Sequence, residues 1–241
     1  YSIISKNSSD FENVLEDAIK IINNEQSPYV LLIRKGTFEP YDLKNKIKTN
    51  YDLNREGAIK KIIDLIDPND IIVATTGKTS REVFEYRVEK GMGHEKDFLT
   101  VGGMGHANQI ALGISIAKPE RKVFCIDGDG AVLMHTGSMG IIGDVKPKKF
   151  KHIIINNGAH DSVGGQPTIG FEINFGKIAS AFNYSDVFII KSLNDFDEIF
   201  KSFYKSNGPS LLEIVVNKGA RKDLGRPTIS PKENKNNFKS F

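Results

Sequence analysis

Two short apolar patterns occupy the first fifty residues. Phe11, Val14, Leu15, Ala18, Ile19 and Ile22 recur at three- and four-residue spacing, which predicts an amphipathic helix with Ser9 or Asp10 as its cap. After the Ser27-Pro28 break, residues 29–33 are apolar throughout and read as a strand buried on both faces. Lys35-Gly36 reads as a turn, and the polar stretch holding Pro40, Lys44, Lys46 and Lys48 as a linker. From about residue 50 the two periods alternate. Helical spacing runs over 54–66, then from a Ser80 cap through Glu82, Val83, Phe84 and Tyr86, then through Ile110, Ala111, Ile114 and Ala117. Further helical patterns lie near 138–143, 174–182 and 195–205, and short apolar runs near 71–74, 98–101, 122–127, 152–156, 186–190 and 210–216 read as strands. The alternation predicts an α/β fold, an open parallel sheet with helices on both faces. The polar, repetitive stretch 231–237 predicts a loose or surface-draped tail.

Composition narrows the function classes. At 241 residues, 39% hydrophobic and 26% charged, the chain is a folded globular type with room for about one and a half domains. A net charge of +3, from 33 basic against 30 acidic residues, is too small to argue for a nucleic-acid partner. The single cysteine, Cys125, excludes a disulfide framework within the chain and reads as an inert thiol in a buried strand. No apolar run reaches the ~20 residues of a membrane span, and residues 1–25 do not resemble a signal peptide, so a cytoplasmic protein with no membrane partner is expected. The chain opens on Tyr1, and a helix with one strand cannot bury its own apolar faces. Residues 1–46 are therefore expected to be the end of one domain plus a linker, and residues 47–241 a second domain.

The chemistry concentrates where strands end in glycine. In Ile126-Asp127-Gly128-Asp129-Gly130-Ala131 a buried strand runs into glycines and a helix start, which together present free backbone N–H groups to a diphosphate. Asp129 adds a hard oxygen suited to Mg²⁺. A second buried strand closes on Asn156-Asn157-Gly158, where an Asn carbonyl can complete a metal site if the two strand ends are neighbours. Each motif alone is an ordinary turn; the pair, each closing a buried strand, points to a cofactor site.

The pair resembles the Gly-Asp-Gly…Asn-Asn motif of thiamine-diphosphate enzymes. The longer runs 75–82, 156–168 and 219–227 are similar to the phosphonopyruvate decarboxylase branch of the 2-oxo-acid decarboxylases, and the resemblance covers nearly the whole chain. It implies a diphosphate-binding domain of the thiamine-diphosphate-binding fold, with thiamine diphosphate and Mg²⁺ as cofactors. Asp129, Asn157 and the Ala159 carbonyl would hold Mg²⁺, and Gly128, Gly130 and Ala131 the diphosphate. Thr76 and Gly77 fall in the matching 75–82 run. Gly102, Gly103 and Met104 would hold the aminopyrimidine, with the Met104 side chain bending the cofactor. His160 would act as an acid or merely bond the loop, and Asp161 is the nearest loop carboxylate. Candidates for reading the substrate's carboxylate and phosphonate are Lys78, Arg81, His106, Ser162 and Gln166; for Arg81 the alternative is a surface ion pair with Glu82 or Glu85. The family's activating glutamate lies on a pyrimidine-binding domain, so that domain, from the same or another protomer of a homo-oligomer, is the implied partner, and residues 1–46 would be its end. A chain with only this half is expected to be inactive alone.

Three rivals stand beside this reading. A nicotinamide oxidoreductase would use Gly103-x-Gly105 with Asp127 as its ribose carboxylate, but Asn108 replaces the third glycine. A sulfopyruvate decarboxylase would have its two domains on separate chains, and a non-catalytic assembly subunit would keep the fold without turnover. His94 and His135 carry no pattern and read as bystanders.

Overall fold

The computed structural model describes residues 1–6, 10–45 and 48–241. Ser9, Lys46 and the boundary drawn between residues 46 and 47 lie outside the described residues. Contacts divide the chain into two units, Tyr1–Lys44 and Asn45–Phe241.

In the first unit β1 (Ser2–Ile4) pairs in parallel with β2 (Leu31–Ile33), and α1 (Phe11–Glu25) connects them. Strand β1 escaped the sequence pattern because three residues carry no readable period. Asp10 stands at the helix cap, but its carboxylate accepts from the Asn13 side chain and no backbone N–H, so it does not cap as expected. The apolar face of α1 forms as predicted, yet only Ala18 is buried. Strand β2 also departs from expectation: Leu32 and Ile33 stay exposed, so it is not covered on both faces.

The second unit follows the predicted alternation closely. Its elements are α2 (Arg55–Leu65), β3 (Ile71–Ala74), α3 (Lys78–Glu89), β4 (Asp97–Leu99), α4 (Ala107–Ala117), β5 (Val123–Gly128), α5 (Asp129–Met134) and α6 (Ser138–Val145). There follow β6 (Phe150–Asn156), a small antiparallel pair β7 (Ala159–His160) and β8 (Gln166–Pro167), α7 (Phe175–Ala181), β9 (Asp186–Ile190), α8 (Phe196–Lys205), β10 (Ser210–Val215) and α9 (Pro231–Ser240). Six strands make one parallel sheet in the order β4-β3-β5-β6-β10-β9.

Alternate strand residues part to the two faces. Ile72, Phe124, Ile126, Ile153, Leu212 and Ile214 join the core formed with α2, α3 and α8. Val73, Val123, Cys125, Ile154 and Leu211 join the core formed with α4, α6 and α7. The crossovers from β3 to β4 and from β4 to β5 run in opposite directions, so α3 and α4 fall on opposite faces. A crevice therefore opens between the carboxyl ends of β3 and β5, the position where open α/β sheets take ligands.

Two local expectations fail. Ser80 does not cap α3, which begins at Lys78; its hydroxyl donates 2.7 Å to the Thr75 carbonyl. The 231–237 tail is not loose but forms α9. Ser230 accepts from the Glu233 N–H and Pro231 fills the first helical position, so a helix start was present in the polar run. Phe238 packs edge-on against Phe98 of β4 at 5.6 Å, which fixes the helix to the sheet.

Candidate cofactor site

A cavity of about 350 Å³ sits at this crevice. It brings together the predicted cofactor and metal residues Thr76, Gly77, Gly102, Gly103, Met104, Gly128, Asp129, Gly130, Ala131, Asn157 and Ala159 with the catalytic candidates His160 and Asp161 and with Lys78 and Ser162. Three strand ends build it. Strand β3 delivers Thr76, whose Oγ1 accepts 3.0 Å from the Gly102 N–H and so ties in the 102–104 segment. Strand β5 delivers the glycines and Asp129 at the start of α5, and β6 delivers Asn156 and Asn157. Two glycines stand close to neighbouring side chains. A Cβ on Gly130 would lie 2.5 Å from His160 Cε1. Gly77 has φ +100°, and a Cβ there would strike the Ser162 hydroxyl, which accepts 3.3 Å from the Lys78 N–H.

Asp129 is 1% exposed and, among the described residues, has no cationic side chain paired with it. Burial pushes its carboxyl above the usual range, and the donated Thr168 hydroxyl and neighbouring backbone N–H groups only partly oppose that. A buried, unpaired carboxylate beside an Asn amide oxygen and a carbonyl is a hard-oxygen donor set, so the residues present fit Mg²⁺. Asn157 Oδ1 here accepts 3.1 Å from the Ala159 N–H.

Asp161 has a different setting from the loop acid the sequence suggested. Its Oδ2 accepts from Arg55 Nη1 at 2.8 Å, Asn157 Nδ2 at 2.8 Å and the Gly219 N–H at 2.9 Å. Arg55 in turn forks onto Glu82 at 2.8 and 3.0 Å. Burial works against the Arg55 charge, but Glu82 and then Asp161 outweigh it and raise its pKa. Sequence reasoning missed Arg55 and Glu82, because nothing in a helix pattern marks a buried ion pair. It also missed Thr168 as the partner of Asp129, although the quoted 156–168 run contains it.

The remaining candidates scatter. His106 and Gln166 are exposed and do not line the cavity. Arg81 lines a neighbouring cavity, and neither predicted ion pair forms: Glu82 is taken by Arg55 and Glu85 by Arg221. His94 stacks on Phe84 at 4.1 Å, and His135 lies against His106 at 4.5 Å. Asp127 is wholly buried, accepting from Cys125 and facing His152 Nε2 at 3.1 Å, while His152 Nδ1 meets the Tyr184 hydroxyl. It cannot reach a ribose, which removes the structural basis of the nicotinamide reading.

Residues 75–214 match the family model described as thiamine pyrophosphate enzyme, C-terminal TPP binding domain. The chain belongs to that family. As a TPP-binding domain it is 33% identical over 187 residues to a phosphonopyruvate decarboxylase of Streptomyces viridochromogenes, covering 78% of this chain and 46% of that protein. It is 37% identical over 149 residues to the sulfopyruvate decarboxylase subunit beta of Methanocaldococcus jannaschii, covering 61% of this chain and 76% of that subunit. The chain thus spans under half the length of the Streptomyces decarboxylase. Among solved structures, an enzyme of Mycobacterium smegmatis described as thiamin diphosphate-dependent superposes with a TM-score of 0.58 at 17% identity, over 69% of this chain and 32% of that one; the fold is shared. No helix of the described residues is long and apolar enough to cross a membrane.

Proposed function

We propose that this chain supplies the diphosphate and Mg²⁺ half of a thiamine-diphosphate-dependent decarboxylase acting on 3-phosphonopyruvate, yielding phosphonoacetaldehyde and CO₂. The observation that carries the reading is the buried, unpaired Asp129 carboxylate at the switch-point crevice, in one cavity with Asn157 and the glycines at the strand ends. Asp129, Asn157 and the Ala159 carbonyl would hold the metal. When bound, thiamine diphosphate supplies the electron sink for loss of CO₂. The chain's own residues bind and orient. The start of α5 presents N–H groups to an anion, Met104 forms one wall, and His160, pressed against Gly130, stands where it can hold a proton at the reacting end.

Among the described residues the cavity's carboxylates are Asp129 and Asp161, and Asp161 is committed to Arg55, Asn157 and Gly219. Among the described residues no glutamate lines it, so the cofactor-activating carboxylate would come from a pyrimidine-binding domain of the same or another protomer. A second reading keeps the site and changes the substrate. The high coverage of the Methanocaldococcus beta subunit favours a sulfopyruvate-type enzyme with its domains on separate chains.

One experiment addresses both. The chain alone should bind thiamine diphosphate only with Mg²⁺ and release no CO₂; joined to its pyrimidine-binding domain, it should release CO₂ from phosphonopyruvate in preference to sulfopyruvate. Metal-independent cofactor binding would refute the site, and a reversed preference would select the second reading.

A further inference from the structure

Two asparagine amides stand at the end of β6, and a buried carboxylate orients each of them. Asn156 Nδ2 donates 2.8 Å to Glu213 Oε1 and 2.8 Å to the Gly170 carbonyl, while its Oδ1 accepts 3.2 Å from the Gly158 N–H. Asn157 Nδ2 donates 2.8 Å to Asp161 Oδ2, and its Oδ1 accepts 3.1 Å from the Ala159 N–H. Of the two, only Asn157 lines the cofactor cavity. An ionised carboxylate accepts and never donates, so Asp161 receives the NH₂ side of the Asn157 amide and repels the oxygen side. The Asn157 oxygen is thereby turned away from Asp161, with a second lone pair left for a cation.

Asp161 is itself held from three directions. Arg55 of α2, Asn157 at the end of β6 and the Gly219 N–H beyond β10 all donate to its Oδ2. Arg55 is braced in turn, because its Nε and Nη2 fork onto Glu82 of α3 and Nη1 alone reaches Asp161. The side chains of Arg55 and Asp161 are each only 6% exposed, so water does not compete for the contact.

We propose that Asp161, braced by Arg55 and Glu82, is a positioning residue that keeps the Asn157 amide turned with its oxygen toward a divalent cation. The role rests on the reading of Asn157 as a metal ligand. It replaces the loop acid that the sequence suggested: Asp161 acts through Asn157 and not on the substrate. An amide has one hard oxygen end and one NH₂ end that offers a cation nothing, so its orientation decides affinity. A carboxylate at the same position is alike at both ends and needs no such guide.

The test uses the holoenzyme containing this chain, with Mg²⁺ affinity titrated by calorimetry at fixed thiamine diphosphate. Asp161→Ala should weaken Mg²⁺ about tenfold or more, with the cofactor still bound at saturating Mg²⁺. Asp161→Asn keeps an accepting oxygen and should retain most of the wild-type affinity. Asn157→Asp alone sets two carboxylates against each other and should weaken Mg²⁺. Combined with Asp161→Ala, the same substitution carries the wild-type net charge and should restore what the alanine lost. Wild-type Mg²⁺ affinity in Asp161→Ala, or a double variant no better than Asp161→Ala, would overturn the role while leaving the cofactor site standing. Should the alanine variant fail to fold, the two isosteric single variants decide. A weak Asp161→Asn or an unweakened Asn157→Asp overturns the role, and the opposite pair supports it. Thiamine diphosphate binding by the wild type without a divalent metal would sink the reading of Asn157 as a ligand, and this role with it.

Discussion

Asp129 shows how a side chain suited to a ligand can cost the protein stability. Its carboxylate is buried and unpaired, and burial raises its pKa, so the ionised form disfavours folding until a cation arrives. Asp129→Asn should therefore stabilise the cofactor-free protein by about 1–2 kcal/mol. The same variant should lose Mg²⁺-dependent cofactor binding altogether. Denaturant melts of both proteins without ligand, paired with titration of thiamine diphosphate, check the two halves; an Asn variant that is less stable yet still binds cofactor would contradict both. At this scale the sequence was informative only where chemistry sits at a strand end. Asp129 and Asn157 could be read from glycine and asparagine closing apolar runs. The setting of Asp161 could not, because its partners Arg55 and Gly219 lie 106 and 58 positions away. For Arg81 the alternative that local spacing offers, an ion pair with Glu82 or Glu85, does not form, because Arg55 and Arg221 hold those carboxylates.

Among the elements, β6 shows why apolar pattern underestimates a central strand. The sequence places it at 152–156, but pairing begins at Phe150 and takes in Lys151, which is wholly buried. Its ammonium donates to the Phe203 and Ser206 carbonyls at 2.6 and 2.7 Å, closing the end of α8, and to the Ser206 and Ser210 hydroxyls. A cation at a helix carboxyl end is favourable, which offsets part of the desolvation. Burial, with Lys122 adding repulsion, still lowers the Lys151 pKa to about 8. An unfolded lysine keeps its proton to about pH 10.4. Between those values the unfolded state binds more protons, so stability should rise with pH, on the order of 2–3 kcal/mol in all. Lys151→Met should be less stable at neutral pH and lack that rise; urea midpoints from pH 7 to 10.5 for both proteins give the comparison. Helices were easier to read than strands, since a face with three or four apolar residues survives one polar intruder and a short strand does not. The tail at 231–237 was misread for lack of apolar residues, although its start signal, Ser230-Pro231 with Glu233, was present.

For the molecule as a whole, α9 links the far end of the chain to the first edge of the sheet. Phe238 on Phe98, with Phe241 under Arg121, holds the helix against β4, and the segment carrying Arg226 is stretched between this contact and Glu85. Phe238→Ala should cost about 1–2 kcal/mol, less than a fully buried phenylalanine. Cofactor binding should be unchanged, because neither α9 nor β4 lines the cofactor cavity; a matching loss of cofactor affinity would contradict the arrangement. The order of elements that brings three strand ends together was legible from alternation alone, whereas the return of the carboxyl-terminal segment over the sheet was not. Thr76 and Gly77 form a wall between the cofactor cavity and the neighbouring one that Arg81 lines, with a consequence for how such a protein can change over generations. Substitutions in the wall disturb both cavities at once and face double selection. Arg226, Pro227 and Ile229 line the second cavity alone, so changes there leave the lining of the cofactor cavity untouched.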